Sequence, residues 1–255
     1  FAGDDLPVTQ AGISIALADR IDSLVGLFGL GQIPTGSKDP FALRRASLGV
    51  LRILVEKNIN IDLGQLIDWG IESVWETTPK AETKATLTEY MLDRFSAWYK
   101  DQGIATEVFQ AVRALGVTNA LDINNRVQAV NIFSSMNEAQ ALASANKRVS
   151  NILAKNGGES VSAEINSALL TEEAEKTLAQ QVAAKQTEVK PLLADAKYKE
   201  ALASLADLRA AVDAFFDNVM VMADDEAVKN NRLALLKQLQ GLFIAIADIS
   251  LLQQN

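Results

Sequence analysis

The stretch AGISIALADRIDSLVGLF, residues 11–28, sets the reading of the fold. Ile13, Leu17, Ile21, Leu24 and Phe28 recur at steps of three and four, which lines one face of an α-helix. Gly26, Gly29 and Gly31 then break the pattern, and Pro34 and Gly36 keep the chain in a loop. Asp39-Pro40 restarts it. Asp39 is a good N-cap, and Pro40 suits the first helical position, where its missing N–H costs nothing. Leu43, Leu48, Leu51 and Leu54 point inward from the helix that follows.

The same periodicity continues along the chain. Asp62 opens a helix, with Gln65 at capping-box spacing and Leu63, Leu66, Ile67, Ile71 and Val74 as its stripe. Pro79 separates it from a long helix carrying Leu87, Tyr90, Met91, Phe95 and Trp98. Gly103 and Gly116 bracket a shorter helix, and Gly116 to Asn119 is read as a domain boundary. Ser135 and Glu138 have capping-box spacing before a helix running to about Ala154. Asn156-Gly157-Gly158 is a loop, and a charged, Ala-rich helix near 171–190 is expected to end before Pro191. Leu202, Leu205, Leu208, Val212, Phe215 and Val219 form one clean stripe. Leu233, Leu236, Leu239, Phe243, Ile246 and Ile249 form another, beyond the polar run Asp224-Asp225-Glu226. The last two helices are predicted to pair as an antiparallel hairpin. Trp69, Trp75 and Trp98 sit on apolar stripes and are expected in the core. Alternating segments are almost absent, so the chain is predicted to be all-α, with roughly nine to eleven helices by periodicity.

Composition narrows the chemistry. The 255 residues include no cysteine and no histidine, which removes thiol and imidazole catalysis, the usual zinc ligands and disulfides. No apolar run approaches 18 residues, and the opening residues lack the basic-then-apolar signal pattern. The first residue is Phe1, so the chain is read as part of something longer. Net charge is −8, with eleven cations against fifteen carboxylates up to residue 117 and thirteen against seventeen beyond it. A nucleic-acid partner must therefore be met by local patches, because the overall field repels phosphate.

Three places concentrate positive charge. Lys38, Arg44 and Arg45 stand at the start of a helix, with Arg52 two turns on, which suits an anion such as RNA phosphate. The competing reading pairs these arginines with Asp4, Asp5, Asp19 or Asp22. Lys147, Arg148, Asn151 and Lys155 form a second cluster, and Arg148, Asn151 and Lys155 fall on one helix face. That face can meet backbone phosphate or base edges, or be an ordinary solvated surface. Lys229, Asn230, Asn231, Arg232 and Lys237 form the third, where Asn230 or Asn231 can equally cap the last helix. Asp19 and Asp22 are neighbours on a helix, where Mg²⁺ or Mn²⁺ would need more oxygen ligands from elsewhere; the competing reading is an exposed helix face. The loop at 29–38 is not a Walker A motif: Lys38 is followed by Asp39, and no strand precedes it. No catalytic group can be chosen among 32 carboxylates.

GLGQIPTGSKDPFALRR, residues 29–45, continuing to Leu54, resembles the bacterial glycyl-tRNA synthetase β subunit near its C-terminal end. So do Phe1 to Pro7, Ala16 to Asp22, Arg94 to Tyr99, ANKRVSNIL at 145–153, Phe215 to Met222 and Ala247 to Leu252. The matches follow the family's order from end to end. The resemblance implies an all-α protein of two domains. Residues 1–117 would be the end of an HD-like helical domain, and 118–255 a helical anticodon-binding domain similar to that of arginyl-tRNA synthetase. Residues 221–236 resemble that domain's closing signature, with Ala227-Val228-Lys229 where Ala-Leu-Arg is usual. The charge is kept there, but the bidentate guanidinium is lost.

The resemblance further implies a part of a cytoplasmic α2β2 ligase that joins glycine to its tRNA with ATP and Mg²⁺. The aminoacylation site would lie on the α subunit, and β would supply tRNA binding. This chain alone is then expected to be catalytically inactive, with no cofactor or metal of its own. Its partners would be tRNA for glycine, the α subunit and the rest of β, with neither DNA nor a membrane. HD phosphohydrolases hold metal through His and Asp, and a chain without histidine cannot complete such a site. Lys38, Arg44, Arg45, Lys147, Arg148, Asn151, Lys155, Lys229, Asn231 and Arg232 are the expected tRNA contacts. The alternative is an assembly module without anticodon readout. A continuous positive stripe joining the last two of these basic clusters favours RNA; isolated cations each paired with a carboxylate favour a scaffold.

Overall fold

A computed structural model describes residues 5–36, 38–73 and 80–253, apart from the side chain of Glu159. Val74, Trp75, Pro79, Phe1 to Asp4 and Ser37 lie outside the described residues. Eleven α-helices account for the fold among the described residues, with isolated bridges and no sheet. They form two compact units that exchange short segments around residue 117. The first runs up to Thr106 and includes Val117–Asn124; the second comprises Glu107–Gly116 and Asn125 onward.

The first unit holds α1 (Gln10–Gly29), α2 (Leu43–Glu56), α3 (Leu63–Ser73) and α4 (Thr83–Asp101). Thr9 caps α1, its hydroxyl accepting from the Gly12 N–H at 3.1 Å. Ile13, Leu17, Ile21, Leu24 and Phe28 are all buried, and α1 packs on α2, α3 and α4. Each such side chain contributes roughly 1.5–3 kcal/mol by leaving water. Two glycines set how closely these helices approach. A Cβ on Gly70 would stand 2.5 Å from the Ile21 methyl, and one on Gly49 2.7 Å from Arg20 Nε.

The start of α2 departs from expectation. Pro40 and Phe41 form a turn, and the helix begins at Leu43 rather than at Pro40. Asp39 still caps it from further back: its carboxylate accepts from the N–H groups of Leu43 at 2.8 Å and Arg44 at 3.1 Å. The turn places Ala42 in the left-handed region at φ 58°, a strain of roughly 1–2 kcal/mol for a residue with a Cβ. Asp62 caps α3 as expected, accepting from Gly64 N–H at 2.8 Å and Gln65 N–H at 3.2 Å. Its other oxygen accepts from the Thr118 hydroxyl, and the Asn119 amide donates to Asn60 at 2.7 Å. These bonds explain why Val117–Asn124 belongs to the first unit. Trp69 is a correction: it is 50% exposed, because α3 turns Leu63, Leu66, Ile67 and Gly70 inward instead. Trp98 is half-buried, stacked parallel to Phe95 at 5.5 Å.

The second unit holds α5 (Thr106–Arg113), the later part of α6 (Ala120–Ser134), α7 (Ala139–Lys155), α8 (Glu173–Ala194), α9 (Tyr198–Ala206), α10 (Arg209–Asn218) and α11 (Glu226–Ile244). Neither Ser135 nor Glu138 caps α7; the Ser135 hydroxyl instead donates to Ile132 C=O, closing α6. The helix α8 runs through Pro191, which sits exposed in the last turn, where one missing bond is tolerated. The stripe from Leu202 to Val219 is split between α9 and α10 at Asp207-Leu208. There the Asp207 carboxylate accepts from Lys185 Nζ at 2.8 Å, and that same ammonium donates to Glu188 and Ser204. The expected hairpin of the last two helices does not form. Instead α10 packs on α8 and α7, and α11 on α7, α8 and α9. Arg126 closes the end of α11, donating to the carbonyls of Ala245 and Ile246 and to the Tyr198 hydroxyl at 2.8–2.9 Å. Its guanidinium lies 4.3 Å over the Tyr198 ring.

Candidate nucleic-acid interface

The second unit presents one open cationic face. On α7, Leu142, Asn146, Val149 and Leu153 turn inward, and Lys147, Arg148, Asn151 and Lys155 are therefore exposed. Among the described residues, none of these three cations has a carboxylate partner. Arg148 is nonetheless held in place: its guanidinium lies 4.3 Å over the half-buried ring of Phe216 on α10. Phe216 is itself set edge-on to the buried Phe215 at 5.5 Å. A guanidinium anchored through one face keeps donors and a flat cationic surface for a ligand. Beyond α10 the loop carries Met220 and Met222, both exposed, alternating with the buried Val219 and Val221.

The cluster that opens α11 has a different fate. Asp225, not an asparagine, caps the helix, accepting from the N–H groups of Ala227 at 2.8 Å and Val228 at 3.1 Å. Arg232 is 6% exposed and meets the fully buried Glu175 in an ion pair. It also donates to Met220 C=O at 2.6 Å and to the Thr171 hydroxyl at 3.2 Å. Burial works to raise the Glu175 pKa. The bonds from Arg232 and from the N–H groups of Glu172 and Thr171 outweigh it and hold the carboxyl below the usual glutamate range. Asn231 is buried, its amide exchanging two bonds with the backbone of Asn166 at 2.7 and 3.1 Å. Lys229 pairs with Glu226 at 3.2 Å, and Lys237 donates to Val161 C=O. Asn231 and Arg232 thus serve the fold: both sit on the face of α11 that the bundle covers.

In the first unit, Thr35 and Lys38 exchange backbone hydrogen bonds at 2.9 and 3.2 Å, folding a tight turn that leaves Lys38 exposed. Arg44 donates to the Gly36 carbonyl of that turn. Arg45 is exposed on α2. Neither arginine forms an ion pair with Asp5, Asp19 or Asp22, and Asp4 lies outside the described residues. Tyr90 faces this corner, and burial and the Asp39 carboxylate push its phenol up, against the pull of Arg94 and Arg44. Asp19 and Asp22 are exposed, and the described residues hold no cluster of three or more His, Cys, Asp or Glu side chains fit for a metal. No described helix is long and apolar enough to cross a membrane.

Sequence reasoning missed Phe216, Arg126 and Arg94. Phe216 and Arg126 matter through partners distant in sequence, which periodicity does not report, and Arg94 through Tyr90 four residues before it, outside both the apolar stripe and the cation clusters. The one available signal for Phe216 was its place beside Phe215, off the buried register of α10.

Comparison with known proteins completes the picture. Residues 1–114 match the family model described as glycyl-tRNA synthetase beta subunit, and residues 142–249 the DALR anticodon binding domain. A glycine–tRNA ligase beta subunit from Marinobacter nauticus is 56% identical over 99% of this chain, covering 36% of the relative. That of Pseudoalteromonas translucida is 53% identical over 100% of this chain and 37% of the relative, and that of Haemophilus influenzae 52% over 99% and 36%. The chain therefore spans little more than a third of the length of the curated relatives it matches.

Proposed function

The chain belongs to the glycyl-tRNA synthetase β-subunit family, and from that membership we propose that it is the part of a glycine–tRNA ligase that holds the anticodon arm of the tRNA. In this reading residues 118–255 are the anticodon-binding domain and residues 1–117 the end of an HD-like domain. The enzyme would be a cytoplasmic α2β2 assembly. ATP and Mg²⁺ would act on the α subunit, and this chain would bring the tRNA to it, with the remainder of β and α as protein partners and no role for DNA.

The observation that carries the reading is the α7 face. Lys147, Arg148 and Lys155 are exposed without carboxylate partners among the described residues, and Arg148 is already fixed on Phe216. Unpaired loop bases are the parts of RNA a protein can read, and they stack on aromatic rings and guanidinium planes. A mobile arginine would lose rotamer entropy on binding; one held on a ring loses less. The lysines neutralise phosphate and release counterions, so affinity falls with salt. An acidic protein achieves this because its positive side is local.

The assembly reading draws on the α11 cluster, whose cations are paired or bonded internally. Binding of the assembled ligase to glycine tRNA, and to a transcript with a changed anticodon, separates the two at low and moderate salt. Anticodon reading predicts a preference for the native transcript and a steep loss of affinity with salt. Equal binding to both transcripts would make this part of β an assembly module.

A further inference from the structure

The first unit contains a cleft of about 490 Å³ between α2 and α4 whose walls carry four arginines. Arg44, Arg45 and Arg52 come from α2 and Arg94 from α4, with Trp98 beside them. Only two carboxylates share the lining, and one of them, Glu56, is engaged by Arg52 at 2.7 Å. The cleft is thus a positive spot on a chain of net charge −8. Arg94 is the informative member. Its guanidinium stands 5.0 Å over the Tyr90 ring, its Nε is shielded from water with no acceptor, and no carboxylate pairs with it among the described residues. A shielded cationic donor with no acceptor in the protein is unfavourable, and an anion beside the guanidinium would offset part of that cost by neutralising its charge. Trp98 lies parallel on Phe95, 9° from coplanar, with part of its ring left exposed at the cleft.

We propose that this cleft binds an unpaired nucleotide of RNA, its phosphodiester held by Arg44, Arg45 and Arg94 and its base set against Trp98. Guanidinium groups match phosphate oxygens through paired N–H donors, and a neighbouring aromatic face accepts any base. A cleft of this size falls in the range of small-ligand sites. The inference rests on the reading of the chain as tRNA-binding, but it uses none of the α7 residues, so failure at the cleft and failure at the α7 face can be told apart.

The test uses the assembled ligase and a full glycine-tRNA transcript, comparing the wild type with Arg45→Gln, Arg94→Gln and Trp98→Leu. Arg45 is exposed, so its substitution keeps the proposal testable even if the Arg94 variant folds poorly. Expected are a several-fold to tenfold weaker Kd and, for each arginine variant, a fall of about 0.7 in the slope of log affinity against log salt. Phosphate-ethylation footprinting should show the same few phosphates losing protection in the arginine variants. Unchanged Kd, slope and footprint in a folded Arg45→Gln enzyme would overturn the proposal. So would a loss of α2β2 assembly with unaltered tRNA affinity per assembled particle, which would make the cleft a protein interface. An effect here with none from Arg148→Ala would sink the α7 reading while leaving this one.

Discussion

Arg148 and Arg232 are both arginines preceded by a polar residue on helices of the same unit, and the sequence presents them alike. Arg148 stands outside, lying on Phe216 with no carboxylate partner among the described residues. Arg232 is sunk in the bundle against Glu175, with a backbone carbonyl and a hydroxyl taking further donors. Helix register makes the difference. Arg232 precedes Leu236, Leu239 and Phe243 by four, seven and eleven residues, so it shares their buried face. Arg148, Asn151 and Lys155 share a face of their own, turned away from Leu142, Val149 and Leu153. Charge in a sequence thus marks a candidate, and register decides whether solvent or core receives it.

This contrast can be broken most forcefully at the buried pair. Arg232→Ala strands Glu175 as a buried, unpaired carboxylate and should cost about 3–5 kcal/mol of stability. Arg148→Ala should leave the melting transition nearly unchanged. Thermal melts of the two variants check this, and equal shifts would erase the distinction. Acid sharpens it further. Glu175 is held below its ordinary pKa, so its contribution is present at neutral pH and above the unfolded value. That contribution is lost as pH falls through the lowered folded value. Melting temperature against pH should therefore drop at acid pH in the wild type, and Glu175→Gln should flatten that part of the curve.

The exposed arginine should answer in binding instead. Arg148→Ala is expected to weaken tRNA binding about tenfold, close to 1.4 kcal/mol. Arg148→Lys should recover only part of that, since an ammonium keeps the charge without the flat fork. Filter binding at fixed salt measures both. The smallest effect belongs to Lys155→Gln, where a single phosphate contact is lost. The slope of log affinity against log salt should fall by about 0.7–0.9, with little change in discrimination between transcripts.

Much of the fold was legible because apolar spacing is a local signal. The stripe Ile13, Leu17, Ile21, Leu24 and Phe28 is buried as read, and Asp62 caps its helix. What escaped depends on partners far along the chain. The break at Asp207 is stabilised by Lys185, twenty-two residues away, and Glu175 lies fifty-seven from Arg232. Ala42 adopts a left-handed backbone that no propensity favours, and Pro191 stays in its helix because it faces solvent in the last turn. At the candidate site, the α7 cations were visible as a helical face. Their platform was not, because Phe216 reaches Arg148 only once α10 packs on α7.

The most direct test of the α7 reading couples one side chain to one part of the RNA. Affinities of the assembled wild-type and Arg148→Ala ligases are measured for native and changed-anticodon transcripts, completing a double-mutant cycle. If α7 reads the anticodon arm, the substitution weakens the native transcript and barely affects the changed one, so discrimination collapses. If both transcripts weaken equally, or neither does, Arg148 contributes no anticodon recognition and the account is contradicted.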